Sequence, residues 1–379
     1  MRKIVTFFFI FIGLALLVLS TSGPAMEYLT AKRGALSGWA GIHHLEGAGD
    51  LVSMAYLDDV PKFYAPKDYQ FIRPADTGNR NIDLYVYGDS YVREIPDSAF
   101  GHVSEYHFGR RDYTDLRYTL DHHKKNILII EDAERFVRIY FQYLAIFDHV
   151  RRNTPSLSFL NAVPFGDPVD GDHSLLNGPL SGGPVEAHHP SVNTALLGIK
   201  ADLFFNSDIN HNLEFNMFGY KFMDRIKLFK ASATYHFFGR ASGDVVVSEN
   251  GEYLFLRQTV APHDILSSYA PVAKEELSRL VHQFNTVYDH YKMDGFDEVY
   301  LSIIPNPATI LQPQYYNHLI PFLQKDPSLK MPVIDLYSTF ANDADPSGLY
   351  RLGDTHWNNK GLQTWIRMVN NTLSELSNK

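Results

Sequence analysis

One stretch, 82–93 (IDLYVYGDSYVR), constrains the fold of this chain more than any other. Its first residues are mainly aliphatic and aromatic, a composition that favours a β-strand. The pattern stops at Gly88-Asp89-Ser90, a tripeptide of turn-forming residues. We therefore predict a buried strand whose following turn presents the Ser90 hydroxyl at the carboxyl edge of a sheet, where open α/β proteins bind ligands.

A base for this serine is present near the other end of the chain, in 353–357 (GDTHW). Asp354 and His356 are separated by one residue, which places both side chains on the same side of an extended segment. A serine nucleophile needs a positioned base, and that base needs a group that fixes its tautomer. Each motif alone is unspecific, since Gly-Asp-Ser is common in turns and Asp-x-His on surfaces. Their pairing makes Ser90, His356 and Asp354 the candidate nucleophile, base and orienting acid, with the Ser90 amide a candidate oxyanion donor.

Strand and helix patterns alternate along the chain, which predicts an α/β fold with a mainly parallel sheet and helices on both faces. Apolar strand patterns also lie at 126–130, 298–304 and 333–336. Helix patterns lie at 131–152, 271–291, 314–324 and 360–376. The segments 245–248 and 253–256 flank Asn-Gly and predict a β-hairpin. A loop is expected at 102–112.

Composition divides the chain into regions. Its 379 residues can form one large domain with insertions. We predict a stalk or lead-in at 26–80 and a catalytic domain at 81–379 with an irregular insertion subdomain at about 153–260. Within 153–200, Pro, Gly, Asp and His dominate. The residues of metal-ligand type there have no specific spacing, so a solvated loop is favoured over a metal site; they are Asp170, Asp172, His173, His188 and His189.

The N-terminus indicates where the protein acts. Arg2 and Lys3 precede an apolar run at 4–19, and small residues follow. The region 1–25 is therefore either a signal peptide or a membrane anchor, since sixteen apolar residues fall just short of the roughly 17–25 that span a bilayer. Basic residues before such a segment place the rest of the chain on the extracytoplasmic side, in the periplasm or at the cell surface.

Charge and cysteine content exclude several classes of function. The formal net charge is −9 and no basic stripe is visible, which argues against a nucleic-acid partner. The chain has no cysteine, so disulfides, thiolate nucleophiles and cysteine-ligated metals are excluded.

The motifs taken together resemble the SGNH hydrolase superfamily, and most closely its alginate O-acetyltransferase-like and DHHW branch. The resemblance covers about 80–145 and 270–375, and the Asp-Thr-His-Trp segment is its most specific part. The segments that carry it are 88–91 (GDSY), 129–136 (IIEDAERF), 237–240 (FFGR), 302–310 (SIIPNPATI) and 353–361 (GDTHWNNKG).

The resemblance implies a three-layer α/β/α fold in which Ser90, His356 and Asp354 form a catalytic triad. Further candidates for oxyanion or substrate contacts are Tyr91, Arg135, Asn306 and Trp357. For Asn306 a turn-forming role is the alternative, and for Arg135 a salt bridge at a helix start. The chain departs from the family where Pro307 replaces a frequent lysine and where no Gly-x-Asn-Asp block is found. The serine also precedes Asp-x-His, as in SGNH esterases and unlike the alginate enzymes.

We expect from this an exported serine acyltransferase that O-acetylates a polysaccharide without cofactor or metal. A membrane-bound O-acyltransferase partner would supply the acyl group. The alternatives are a carbohydrate O-acetyl esterase of the same fold and a non-catalytic glycan-binding or assembly protein.

Overall fold

The computed structural model describes residues 2–20, 45, 47–64, 69–74, 78–111, 115–141, 147, 149–152, 223–241 and 243–377. These residues separate into two compact units. One contains the described residues of 2–45, Ser53–Asp59 and 223–243. The other contains Gly47–Val52 and the described residues of 60–152 and 244–377.

A four-stranded parallel sheet forms the centre of the second unit. Its strands are β1 (Ile82–Gly88), β2 (Val103–Arg110), β4 (Lys125–Ala133) and β8 (Glu298–Ile304), in the order β2-β1-β4-β8. Two short strands, β3 (Leu116–Tyr118) and β5 (Val150–Arg152), pair separately in parallel. The predicted hairpin is confirmed: β6 (Val245–Val247) and β7 (Leu254–Leu256) are antiparallel, and Gly251 adopts φ +72° between them.

Both faces of the sheet are buried, because the side chains of β1 and β4 alternate between two apolar clusters. Ile82, Leu84 and Val86 pack with helix α9 (Asn359–Ser377), through Trp365 and others. Tyr85 and Tyr87 belong to the cluster on the other face, with helix α5 (Lys274–Met293). Burial of each large apolar side chain contributes about 1.5–3 kcal/mol. The predicted α/β fold with a mainly parallel sheet is confirmed, and its helices lie as in a three-layer α/β/α fold.

The parallel strands bring three distant segments to one edge of the sheet. The register pairs Tyr87 with Ile130 and Ala133 with Ile304, so the carboxyl ends of β1, β4 and β8 lie together. Ser90 follows β1. Helix α3 (Glu134–Tyr140) follows β4, and α6 (Pro307–Leu311) follows β8.

The remaining helices of the second unit are short: α7 (Leu319–Gln324) and α8 (Leu336–Ala341). Helix α2 (Asp50–Ala55) begins in this unit.

Three predictions of secondary structure are wrong. The segment 102–112 contains β2, an edge strand whose half-exposed polar side chains hide the strand pattern. Within the described residues of 131–152 the predicted helix is confined to α3, because β4 continues through buried acidic residues and 150–152 is β5. The strand predicted at 333–336 is a single bridge between Val333 and Leu301, since Leu336 already begins α8.

The first unit contains helices α1 (Arg2–Ser20) and α4 (Asp224–Phe238). Asp59 accepts hydrogen bonds from two residues of α4, Ser232 Oγ at 2.6 Å and His236 Nε2 at 2.9 Å. Among the described residues, no helix has both the length and the apolar character to cross a membrane. The irregular excursion at 153–200 lies outside the described residues, and so does most of the lead-in before Gly47.

Candidate active site

The turn that carries Ser90 is held by buried carboxylates. The Asp89 N–H donates to Glu131 Oε2 at 2.8 Å, while Asp89 accepts hydrogen bonds from the backbone N–H groups of Tyr91 at 2.8 Å and Ala133 at 3.2 Å. Gly88 is required here because a Cβ would lie 2.4 Å from Glu131 Oε2. The turn is therefore attached to β4 through Asp89, which also accepts the N–H of Tyr91 on the other side of the serine.

Ser90, His356 and Asp354 come together as the sequence predicts. Ser90 Oγ lies 2.8 Å from His356 Nε2, and His356 Nδ1 lies 2.7 Å from Asp354 Oδ1. Because an ionised carboxylate only accepts hydrogen bonds, Nδ1 carries the proton and Nε2 accepts from the serine hydroxyl. These three hydrogen-bonded residues, Ser90, His356 and Asp354, are called the relay below. The His356 side chain is 14% exposed, so the relay reaches solvent. This geometry suits proton transfer from Ser90 to His356.

The carboxylate of Asp354 stays ionised in this setting. Burial by itself would raise the pKa of Asp354, but hydrogen bonds from the His356 ring and backbone and the charge of Arg351 together hold that pKa well below its ordinary value. Arg351 Nη1 lies 3.9 Å from Asp354 Oδ2, and its guanidinium lies 4.6 Å from the centre of the Tyr69 ring. Asp354 can therefore stabilise the imidazolium formed when His356 accepts a proton.

Thr355 lies between Asp354 and His356 and is hydrogen-bonded to both Asp50 and Tyr91. Its N–H and hydroxyl donate to the Asp50 carboxylate at 2.8 and 2.6 Å. Its carbonyl accepts from the Tyr91 hydroxyl. Tyr91 thus acts here as a buried support, and Asp50 is a site residue that the sequence reading placed in the lead-in. Gly49-Asp50 has no local signal that distinguishes it from a surface turn.

The buried acids beneath the turn titrate abnormally. Burial, followed by the charge of Asp89, raises the pKa of Glu131 well above its ordinary value. Burial also raises the pKa of Asp132 to about 7, although Arg111 Nη1 lies 2.7 Å away and opposes the shift. Arg111 also donates to the Glu131 carbonyl at 2.7 Å. Glu131 thus binds the turn that carries Ser90, and Arg111 links Glu131 and Asp132.

The candidate oxyanion donors differ in availability. The amides on either side of Ser90 donate to carboxylates, whereas the Ser90 N–H has no acceptor among the described residues. Asn306 is fully buried; its backbone N–H donates to Glu134 Oε2 at 2.9 Å and its side chain to Ser268 Oγ at 2.9 Å. The backbone and side-chain N–H groups of Asn306 are thus bonded to Glu134 and Ser268, and the Ser90 amide remains the candidate donor.

Arg135 and Trp357 are both buried near the relay. The Arg135 guanidinium lies 5.6 Å from the centre of the Tyr91 ring, and its Nη1 has no hydrogen-bond partner among the described residues. Trp357 is fully buried and packs edge-to-face on Tyr91, with ring centroids 5.1 Å apart. Trp357 therefore packs beneath the loop and has no exposed surface for substrate contact.

A small cavity adjoins Thr355. Its wall is mainly apolar, and β7 contributes three of its eight lining residues. The lining residues are Leu51, Arg135, Leu254, Phe255, Leu256, Thr259, Pro307 and Thr355. The hairpin, predicted within an insertion, thus belongs to the unit that contains the relay.

Asp50, Asp354 and His356 hold oxygen and nitrogen atoms within 4.8 Å of one another. Since these atoms already bond to one another or to Thr355, we assign the group as a hydrogen-bonded relay and not as a metal centre.

Comparisons with protein-family profiles, characterised proteins and solved structures find no match to this chain.

Proposed function

We propose that the protein is an exported serine acyltransferase that O-acetylates a polysaccharide through an acyl-Ser90 intermediate. The observation that carries this proposal is the continuous relay from Ser90 Oγ to His356 Nε2 and from His356 Nδ1 to Asp354 Oδ1, at 2.8 and 2.7 Å. The resemblance of these segments to the alginate O-acetyltransferase-like branch of the SGNH hydrolases supports transfer to a sugar. The intact relay weighs against a non-catalytic glycan-binding protein.

In the first step, Ser90 Oγ attacks the acyl carbonyl of the donor while His356 Nε2 takes the hydroxyl proton. Negative charge develops on the carbonyl oxygen, where the Ser90 N–H, which has no acceptor in the described part of the chain, is the available donor. His356 then gives the proton to the leaving group as the carbon–oxygen bond to the donor breaks. Asp354 stabilises the imidazolium throughout.

In the second step, a sugar hydroxyl loses its proton to His356 and attacks the acyl-enzyme. The ester bond to Ser90 breaks, Ser90 recovers its proton from His356, and the acetylated sugar leaves. An esterase would use the same groups with water as the acceptor.

In this proposal a membrane-bound O-acyltransferase supplies the acetyl group on the extracytoplasmic side, in keeping with Arg2 and Lys3 before the apolar N-terminal run.

The test measures acyl-enzyme formation and the fate of the acyl group. A chromogenic acetyl ester is expected to acylate Ser90, detected by mass spectrometry of the intact chain. Added oligosaccharides of the host's own glycans are expected to become acetylated and to speed chromophore release if deacylation limits the rate.

Ser90→Ala and His356→Ala are expected to abolish acylation, while the control Ser104→Ala, at an exposed serine of β2, is expected to acylate normally. Rapid hydrolysis with no acetylated sugar would identify an esterase instead. Absence of acylation in the unaltered protein would refute both activities.

A further inference from the structure

The loop that carries Asp354 and His356, residues 353–357, is called the relay loop. The residues that follow Asp50 are hydrogen-bonded to it through their backbone N–H groups. Helix α2 begins at Asp50, and the N–H groups of Leu51 and Val52 donate to the Gly353 carbonyl at 3.1 and 3.3 Å. The two segments approach so closely that a Cβ on Gly49 would lie 1.9 Å from the same oxygen. The start of α2 and the relay loop are therefore one packed assembly.

The Asp50 side chain continues this attachment between the two relay residues. It accepts the N–H and hydroxyl of Thr355 at 2.8 and 2.6 Å, and Thr355 separates Asp354 from His356. Its Oδ2 lies 3.9 Å from His356 Nδ1. Two carboxylates thus face the same nitrogen, one bonded to it and one beside it.

This arrangement disfavours the ionised form of Asp50. Burial first, and the Asp354 charge second, raise the pKa of Asp50 above its ordinary value. Since 39% of its side chain is exposed, solvent screens part of this effect. A second carboxylate beside an ionised one is unfavourable unless a positive charge forms nearby, and His356 gains that charge when it accepts the serine proton.

We propose that Asp50 is a positioning residue of the acyl-transfer site, which fixes the loop through Thr355 and adds a second negative charge beside the imidazolium. The inference rests on the proposed function, since it assigns Asp50 a role in that reaction. The groups that face His356 are Ser90 at Nε2, then Asp354, Asp50 and the Thr355 hydroxyl at Nδ1, and the Tyr91 ring at 4.7 Å. Beyond them, Arg351 faces Asp354 and Arg135 faces Asp50.

The charge of Asp50 decides in which direction its removal shifts the titration midpoint of His356. Loss of a negative charge beside an imidazole disfavours its protonated form, so Asp50→Asn is expected to move the titration midpoint of His356 to lower pH by about 0.5–1 unit. The acid limb of kcat/KM for the chromogenic ester is expected to move in the same direction. Asparagine keeps an oxygen acceptor for Thr355, so the loop remains attached in this variant.

The measurement follows the proton resonance of His356 Nδ1–H in the full chain across pH, assigned by its loss in His356→Gln. Thr355→Val is the matched variant, because it removes the hydroxyl bond to Asp50 and keeps the Asp50 charge. It is expected to lower thermal stability and, because the Thr355 hydroxyl also lies 3.3 Å from His356 Nδ1, to move the midpoint by less than Asp50→Asn does.

A midpoint that does not move in Asp50→Asn, with only a lower Tm, would show that Asp50 is purely structural and overturn the inference. A shifted midpoint in a protein that forms no acyl-enzyme would uphold the role of Asp50 and refute the proposed function. The two outcomes are distinct because the resonance requires no substrate.

Discussion

At the scale of single residues, the site depends on the absence of a side chain at Gly88. A methyl group there would lie 2.4 Å from Glu131 Oε2 and 2.8 Å from Val92 Cγ2. The Glu131 carboxylate is fully buried and accepts the Asp89 N–H, so moving it away would break that hydrogen bond. The nucleophile turn is therefore coupled to the packing of β4.

We predict that Gly88→Ala destabilises the protein by about 1–3 kcal/mol, as overpacking does in other cores. Displacement of the turn is also expected to slow acylation by about 10²-fold, because a small misplacement of a reacting group has a large kinetic effect. Urea unfolding and burst-phase acylation measure the two effects. The control is Ser104→Ala, at an exposed position of β2. Unchanged acylation in Gly88→Ala would show that the turn tolerates displacement.

At the scale of elements, Glu134 joins the end of β4 to the start of α6. Its Oε2 accepts the N–H of Asn306 at 2.9 Å and the hydroxyl of Thr309 at 2.5 Å. Its Oε1 is buried and has no partner among the described residues. Burial raises the pKa of Glu134 to about 7, although these hydrogen bonds oppose the shift.

The pH dependence of stability follows from that shift. Between the ordinary pKa of 4.5 and about 7, the folded protein keeps the Glu134 proton that the unfolded chain has released. Stability therefore falls as pH rises through this window. We predict that Glu134→Gln, which keeps the accepting oxygen and cannot ionise, matches the unaltered protein near pH 4.5 and is more stable by about 3 kcal/mol at pH 8.

Urea unfolding at several pH values measures this difference, with Glu375→Gln at an exposed position of α9 as the control for loss of one carboxylate. A constant difference across pH would contradict the assigned titration of Glu134.

The sequence predicts an element correctly where the residues of that segment alone determine its structure. The segments 82–88 and 298–304 are buried on both faces, so their apolar runs alone indicate strands. β2 lies at the sheet edge, and its exposed Glu105 and half-exposed His107 break the pattern. β4 extends through Glu131, which accepts the Asp89 N–H, and Asp132, which pairs with Arg111, and those partners are distant in sequence.

The same distinction applies to the site. Ser90, Asp354 and His356 stand in short motifs whose residue types indicate their chemistry. Asp50 does not, because its role comes from contact with Thr355 across 305 residues of chain. Asn306 follows a predicted strand at the correct edge, yet its side chain turns to Ser268, which no local pattern reveals.

At the scale of the whole molecule, the relay forms only when both ends of the second unit are folded together. The strand that positions Ser90 and the helix that follows His356 share one apolar cluster, in which Trp357 and Trp365 lie with ring centroids 6.3 Å apart. The Trp365 indole N–H donates to Ser302 Oγ of β8 at 2.8 Å. The two tryptophans therefore report the packing that holds the site.

We predict that this packing and the relay are lost in one cooperative transition. The chain has three tryptophans, and Trp39→Phe leaves fluorescence from Trp357 and Trp365 alone. In this variant the urea midpoint of fluorescence is expected to coincide with that of Ser90 labelling by a brief pulse of fluorophosphonate, because neither motif reaches its partner without the shared core. The variant's labelling rate without urea must first match that of the unaltered protein. Labelling that fails at clearly lower urea than the fluorescence change would show that the loop of His356 opens on its own, and that the core does not determine the integrity of the site.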